Sequence, residues 1–232
     1  MGNDVFQVQN LTQKKPIRHG IVVDWDAMER LWHHIFYNEL RVAPDDHPIM
    51  LTDAPFSPTT NREKATEILF EAFGAPALHM ATTALLSLYS CGMTSGLVIG
   101  SGAGVSYTCP IQEGKELLSE VRNFAMDYRL PDAMATDSLQ KVGPMYRPLV
   151  LSRVLVCGDT SKLPGFPERI QAELRASNPG NNKVKVLAAP HRKISSWVGG
   201  SILTSLKGFQ SLWLKKEDYL EKDACLAHCK FF

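Results

Sequence analysis

Apolar positions recur along this chain in two rhythms, and each rhythm predicts an element. Met28, Leu31, Trp32, Ile35 and Phe36 fall at helical spacing on one face. Asp24 or Asp26 can cap that helix, which is expected to run to about Leu40. Ahead of it, the short β-branched stretch 20–23 reads as a strand or strand end. Residues 48–52 read as a buried strand and 53–60 as a proline-broken loop. Thr60 and Glu63 form a capping box for a helix through Phe73, which Gly74-Ala75-Pro76 stops. The segment 78–90 is apolar nearly all round and predicts a buried helix. Segments 96–99 and 105–111 predict a strand pair around a glycine-rich turn.

From 115 to 149 the rhythm weakens. Leu117, Leu118 and Val121 suit a short helix, and Pro131, Gly143, Pro144 and Pro148 break the chain beyond it. Regularity returns with a strand at 153–156, a turn at 158–165, a helix at 166–176 and a turn at Asn178-Pro179-Gly180. Residues 183–188 alternate as a strand. Ser195 or Ser196 caps a helix of small and apolar residues over 197–206, and a short amphipathic helix with Phe209, Leu212 and Trp213 comes next. Strands alternate with helices, so the class is α/β with mixed sheets.

Composition narrows the function without naming it. The chain has 232 residues, enough for one large domain or two small ones with a real core. A net charge of +1 removes the electrostatic case for nucleic acid or an anionic membrane. No apolar run approaches the length of a bilayer span. Five scattered cysteines and a polar opening over 1–15 lead us to expect a reduced intracellular protein with free thiols. Candidate chemistry is sparse. His33 and His34 are adjacent and cannot share a helix face, so they read as packing or surface residues. Cys225, His228 and Cys229 lack a second ligand pair at zinc spacing and read as a surface tail. Asp45, Asp46 and His47 read as solvated charge. Gly100-Ser101-Gly102 precedes a strand rather than a helix, so it is not a nucleophile elbow.

Several longer strings resemble actins. They are Pro-Ile-Arg-His-Gly-Ile at 16–21, Trp-His-His-Ile-Phe-Tyr-Asn-Glu-Leu-Arg-Val-Ala-Pro at 32–44, and Leu-Thr-Asp-Ala-Pro-Phe-Ser-Pro-Thr-Thr-Asn-Arg-Glu-Lys at 51–64. Leu-Leu-Ser-Leu-Tyr at 85–89, Ala-Pro-His-Arg-Lys at 189–193 and Trp-Val-Gly-Gly-Ser-Ile-Leu-Thr-Ser-Leu at 197–206 extend the match to roughly four-fifths of the chain. The resemblance implies a divergent, shortened member of the actin and actin-related family. Its implied fold is partial, of the actin, Hsp70 and sugar-kinase type, lacking the first strands and the small mobile subdomain. The implied organisation is a polar segment over 1–15 and a subdomain 1 portion with the second phosphate loop over 16–114. A shortened connector over 115–148 stands in place of much of subdomains 3 and 4. Residues 149–232 carry the adenine-side loop and the C-terminal portion.

Actins hold ATP and a divalent metal between two halves. The resemblance places a vestigial nucleotide site at Ser101, Gly102, Ala103, Gly104, Gly158, Thr160 and Lys193. The departures fall on the chemistry. Gly100 and Ala103 stand where the family has aspartates, Thr83 where it has its water-positioning glutamine, and Tyr107 where it has a nearby histidine. Asp159 replaces a glycine of the adenine-side loop, while Lys193 is retained; Lys115-Glu116 is a candidate match to the family's ribose-side pair. A loop without carboxylates has no evident means of placing a metal. The plain alternative for Gly102 and Gly104 is a tight hairpin turn, and for Trp197, Gly199 and Gly200 close helix packing.

The resemblance also implies a groove for amphipathic helices, lined by Tyr89, Gly92, Thr94, Ile202, Leu203 and Leu206, unless these residues pack in the core. Three readings stand at this point. The first is a cytoplasmic, cytoskeletal or nuclear actin-like protein without ATPase activity or cofactor. Its partners would be actin-binding-type proteins or actin itself. The second binds Mg-ATP weakly and hydrolyses it slowly. The third is a truncated splice or decayed product with an unpaired sheet edge.

Overall fold

The computed structural model describes residues 14–117, 122–124, 131–178 and 183–222. In chain order the elements are β1 (Ile17–Arg18), β2 (Ile21–Val22), α1 (Trp25–His33), β3 (Ile49–Asp53), α2 (Thr59–Glu67), β4 (Ala77–Thr82), α3 (Thr83–Tyr89), β5 (Gly96–Ser101) and β6 (Ser106–Gln112). There follow β7 (Lys115–Glu116), β8 (Arg122–Phe124), α4 (Pro131–Lys141), α5 (Arg147–Leu151), β9 (Val154–Cys157), α6 (Phe166–Ala176), β10 (Val186–Leu187), α7 (Ser195–Ser205), β11 (Leu214–Lys215) and α8 (Lys216–Lys222). The chain forms two compact units. One holds the described residues up to 51, 57–79 and those from 212; the other holds 52–56 and those from 80 to 211.

In the first unit, Asp24 caps α1 by accepting the Ala27 N–H at 2.9 Å. The helix then widens into a π-helical turn over His34–Leu40, closed by Arg41 in the left-handed region. α2 continues likewise into a π-helical turn over Ile68–Ala72. Trp32, Phe73 and Phe36 meet edge to face across these two segments. β11, β4 and β3 form a three-stranded sheet, with β11 antiparallel to β4. Tyr219 of α8 stacks on Phe70 and donates to Glu71 at 2.7 Å.

The second unit is a sheet between helices. Its main strand order is β10-β9-β5-β6-β7, with β8 also on β6. β5, β9 and β10 run parallel, and β6 returns antiparallel to β5. Alternation along the strands divides the core. Leu97, Ile99, Val154 and Val156 face α4, α5 and α6 through Leu139, Val150 and Ile170. Val98, Leu155 and Cys157 lie on the other side with Ala84 and Leu88 of α3. The architecture is α/β with mixed sheets, as expected.

Several local expectations are corrected. Residues 78–90 are not one helix. Ala77–Thr82 is a strand between β11 and β3, five of whose six residues are buried, and only Thr83–Tyr89 is helical. A strand buried on both faces has no alternation to distinguish it from a buried helix. The Thr60–Glu63 capping box does not form, because α2 begins at Thr59 with Pro58 in the capping position. Pro131 and Pro148 start helices instead of breaking them, since the first turn needs no N–H. The strand expected over 183–188 is paired only at Val186–Leu187. Neither Ser195 nor Ser196 caps α7. Ser195 lies inside it, with its hydroxyl on Ser87 at 2.9 Å. Leu118, Val121, Pro179, Gly180 and the Cys225–His228–Cys229 cluster lie outside the described residues.

Candidate functional site

The turn between β5 and β6 is a tight hairpin. Gly102 donates its N–H to the Val105 carbonyl at 3.0 Å, and Ser101 and Ser106 oppose each other with hydroxyls 2.9 Å apart. Ser101 is buried, whereas Ala103 and Gly104 form the exposed tip. Gly158 follows β9 at a φ of 90°, and a Cβ there would overlap the Ser101 backbone. This close approach sets the expected phosphate and adenine-side loops against each other. Thr160 opens a 3-10 turn whose Ser161 hydroxyl returns to the Gly158 carbonyl at 2.6 Å. Lys193 reaches Asp159 at 3.4 Å, so the acid that replaces a family glycine holds the retained lysine. Both side chains are more than half exposed, which makes this a weak pair.

Behind the turn, the departures from the family pattern interlock. Gly100 lies directly across the ladder from Tyr107. Any Cβ at position 100 would overlap the Tyr107 ring. The phenol oxygen lies 3.3 Å from Thr83 Oγ1 and 3.7 Å from Cys157 Sγ. Burial pushes the Tyr107 phenol well above its ordinary range, and burial likewise raises the Cys109 and Cys157 thiols. Hydrogen bonds continue from there to the helices. Ser87 Oγ donates to the Thr83 carbonyl at 2.7 Å and receives the Ser195 hydroxyl of α7. Glu116 accepts from the Thr82 hydroxyl, so the candidate ribose-side acid is tied to the N-terminal end of α3.

α3 and α7 pack backbone to backbone. A Cβ on Gly199 would fall inside the Leu86 carbonyl, so only glycine fits, as expected for this position; Gly200 is buried beside it. The expected groove residues lie on these two helices, on the turn after α3 and, for Leu206, just past the end of α7. Gly92 and Thr94 are exposed, Tyr89 and Leu203 half-buried, and Ile202 and Leu206 are 43% and 54% exposed. The core alternative for Ile202 is therefore excluded by its exposure. Trp197 is corrected more sharply. It is 70% exposed and does not serve helix packing. Among the described residues no group of three His, Cys, Asp or Glu side chains could hold a metal, and no helix is long and apolar enough to cross a membrane. His34 pairs with Glu39 at 3.1 Å and His33 leans on Tyr37. His33, His34, Tyr37 and Phe73 line a shallow depression of about 430 Å³ that the sequence had not marked.

Comparison with known proteins identifies the family. The family model described as Actin matches residues 2–128 and 130–232. The chain is 32% identical to actin-like protein 7B of Mus musculus over 318 positions, which span 99% of this chain and 76% of that protein. It is 32% identical to the Rattus norvegicus form over 320 positions, with the same coverage. Identity to the Homo sapiens form is 33% over 304 positions, covering 93% of this chain and 72% of that protein. An alignment of 318 positions on 232 residues requires internal segments of the relative that have no counterpart here.

Proposed function

The chain belongs to the actin family, and from that premise we propose that it is an actin-like interaction protein that does not hydrolyse ATP. It works at the cytoskeleton, in the cytoplasm or nucleus, and takes partners on the exposed face of α3 and α7. One observation carries the loss of chemistry: the Tyr107 ring fills the space that a side chain at position 100 would need. Phosphoryl transfer depends on a placed metal and a placed nucleophile. Gly100 and Ala103 supply no carboxylate, and the Gly102 N–H is committed to Val105. This donor set does not fit a metal-bound triphosphate. The partner role is supported by the exposure of Ile202 on α7 and of Leu206 just after it, the inner side of the helix being fixed by Gly199.

One observation favours the rival reading, a weak Mg-ATP binder. Gly158 keeps the two loops in contact, and Lys193 is retained beside them. The readings separate in thermal unfolding with and without Mg-ATP. Our reading expects one cooperative transition, unmoved by Mg-ATP. The rival expects a gain of about 2.7 kcal/mol at a hundredfold excess over its dissociation constant. A shift of that size, abolished by chelating the magnesium, would replace our reading with the rival.

A further inference from the structure

The depression of about 430 Å³ beside α1 belongs to the first unit, whereas the β5–β6 turn and α7 belong to the second. Two π-helical turns meet in its lining. His34–Leu40 contributes Tyr37 and Asn38, and Ile68–Ala72 contributes Ala72 and leads into Phe73. Such turns are rare and gather at functional sites. Arg30, His33 and Tyr37 follow at spacings of three and four, and all three line the depression. Its inner surface is apolar: Phe73 is 6% exposed and is held edge to face by Trp32 and Phe36. Its rim carries rings, with Tyr37 46% exposed and its ring centre 4.5 Å from that of His33. The polar groups there are uncommitted. Among the described residues, the Arg30 guanidinium, the Tyr37 hydroxyl and the Asn38 amide have no hydrogen-bond or ion-pair partner, whereas His34 is held by Glu39. All three can donate, and Arg30 adds a fixed positive charge in a planar fork that suits one carboxylate. Glu29 lies on the side shared with a smaller depression that holds Lys64 and Glu67. With one arginine and one carboxylate in the lining, a dianion is disfavoured. The volume is toward the small end of ligand pockets, with room for one or two rings.

We propose that this depression binds a small planar monocarboxylate, an aromatic acid of one or two rings. Arg30 pairs with its carboxylate, Tyr37 and Asn38 donate to the same oxygens, and its ring lies on Phe73 and Ala72 beside His33. The site is separate from the partner surface on α3 and α7 and does not depend on it.

The test uses the full chain and four probes: naphthoate, its neutral amide, cyclohexanecarboxylate and inorganic phosphate. Binding is read by calorimetry and by the ring-proton resonances of His33 and Tyr37, assigned with His33→Gln and Tyr37→Phe. Naphthoate is expected to bind and move both sets of resonances, with the other three probes each at least about tenfold weaker. Arg30 is exposed, so Arg30→Gln is expected to unfold at the wild-type temperature while weakening naphthoate binding at least about tenfold. Arg30→Lys should recover only part of that loss, because an ammonium cannot match the fork. Naphthoate binding that survives Arg30→Gln, or that leaves the His33 and Tyr37 resonances in place, would put the ligand elsewhere and overturn the inference. Equal binding of the amide would overturn the carboxylate, equal binding of cyclohexanecarboxylate the planar ring, and equal or tighter binding of phosphate the single charge. Absence of naphthoate binding at about 10 mM, roughly tenfold above a dissociation constant of about 1 mM, would overturn the site itself.

Discussion

The β5–β6 turn and the α3–α7 pair belong to the same unit, but they differ in what holds them. The turn is closed by backbone hydrogen bonds that any small residues can make. The resemblance to actins puts aspartates at positions 100 and 103, where this chain has glycine and alanine. Behind it, the Tyr107 ring occupies the freed volume and takes up Thr83 and Cys157 as polar neighbours. The helix pair is fixed by main chain against main chain at Gly199 and Leu86, a contact with no side chain to exchange. Side chains on the turn can thus be exchanged without opening the fold, whereas a close backbone contact between two packed helices leaves glycine no substitute.

The comparison is broken most directly at Gly199. Gly199→Ala is expected to destabilise the chain by about 4 kcal/mol or more, read from the midpoint of denaturant unfolding. An unchanged midpoint would mean the helices can part at little cost. Next comes the interlock behind the turn. Gly100→Asp, the side chain the family pattern asks for, is expected to cost about 2–3 kcal/mol through overpacking against Tyr107. In a Tyr107→Ala background the same substitution should cost less, leaving a coupling of about 1–3 kcal/mol in the double-mutant cycle. Strict additivity would separate the two positions.

The smallest effect is on pH dependence. In the folded chain, burial keeps Tyr107, Cys109 and Cys157 neutral, while the unfolded chain ionises its thiols near about pH 8.5 and its phenols near about pH 10. Their contribution is complete below those values and is lost as pH rises. Burial lowers the His79 pKa in the other unit, although a bond to the Leu212 carbonyl opposes the shift. Its contribution is complete above about pH 6.5, where the unfolded chain also holds it neutral. It is lost as pH falls toward the lower folded value. Stability measured from pH 5 to 10.5 (about the span of these ordinary values) should decline at both ends. His79→Phe should flatten the acid limb alone.

Much of the fold is legible along the chain. The face of α1 through Trp32, the strands of the β5–β6 hairpin and the span of α6 follow from periodicity and turn residues. The need for glycine at 199 is also readable from the Gly-Gly pair in a helical run. The interlock of Gly100 with Tyr107 is half visible. Both residues stand out as departures, but their pairing depends on hairpin register, which is fixed only once the four-residue turn at 102–105 is placed. Trp197 is misread from sequence because an aromatic beside two glycines looks the same there whether it points inward or outward.

What the sequence determined by itself, then, was local: helix and strand periods, the positions of turns, the family, and the absence of carboxylates at positions 100 and 103. Tertiary structure decided the rest. Ala77–Thr82 is a strand because β11 and β3 pair with it on either side. Tyr107 fills the space beside Gly100 because the ladder sets them opposite each other. Trp197 faces water because Gly199 and Gly200 fix which side of α7 turns to the core. Each outcome depends on atoms distant in the chain, and a pattern of near neighbours carries no information about which of its faces such atoms will cover.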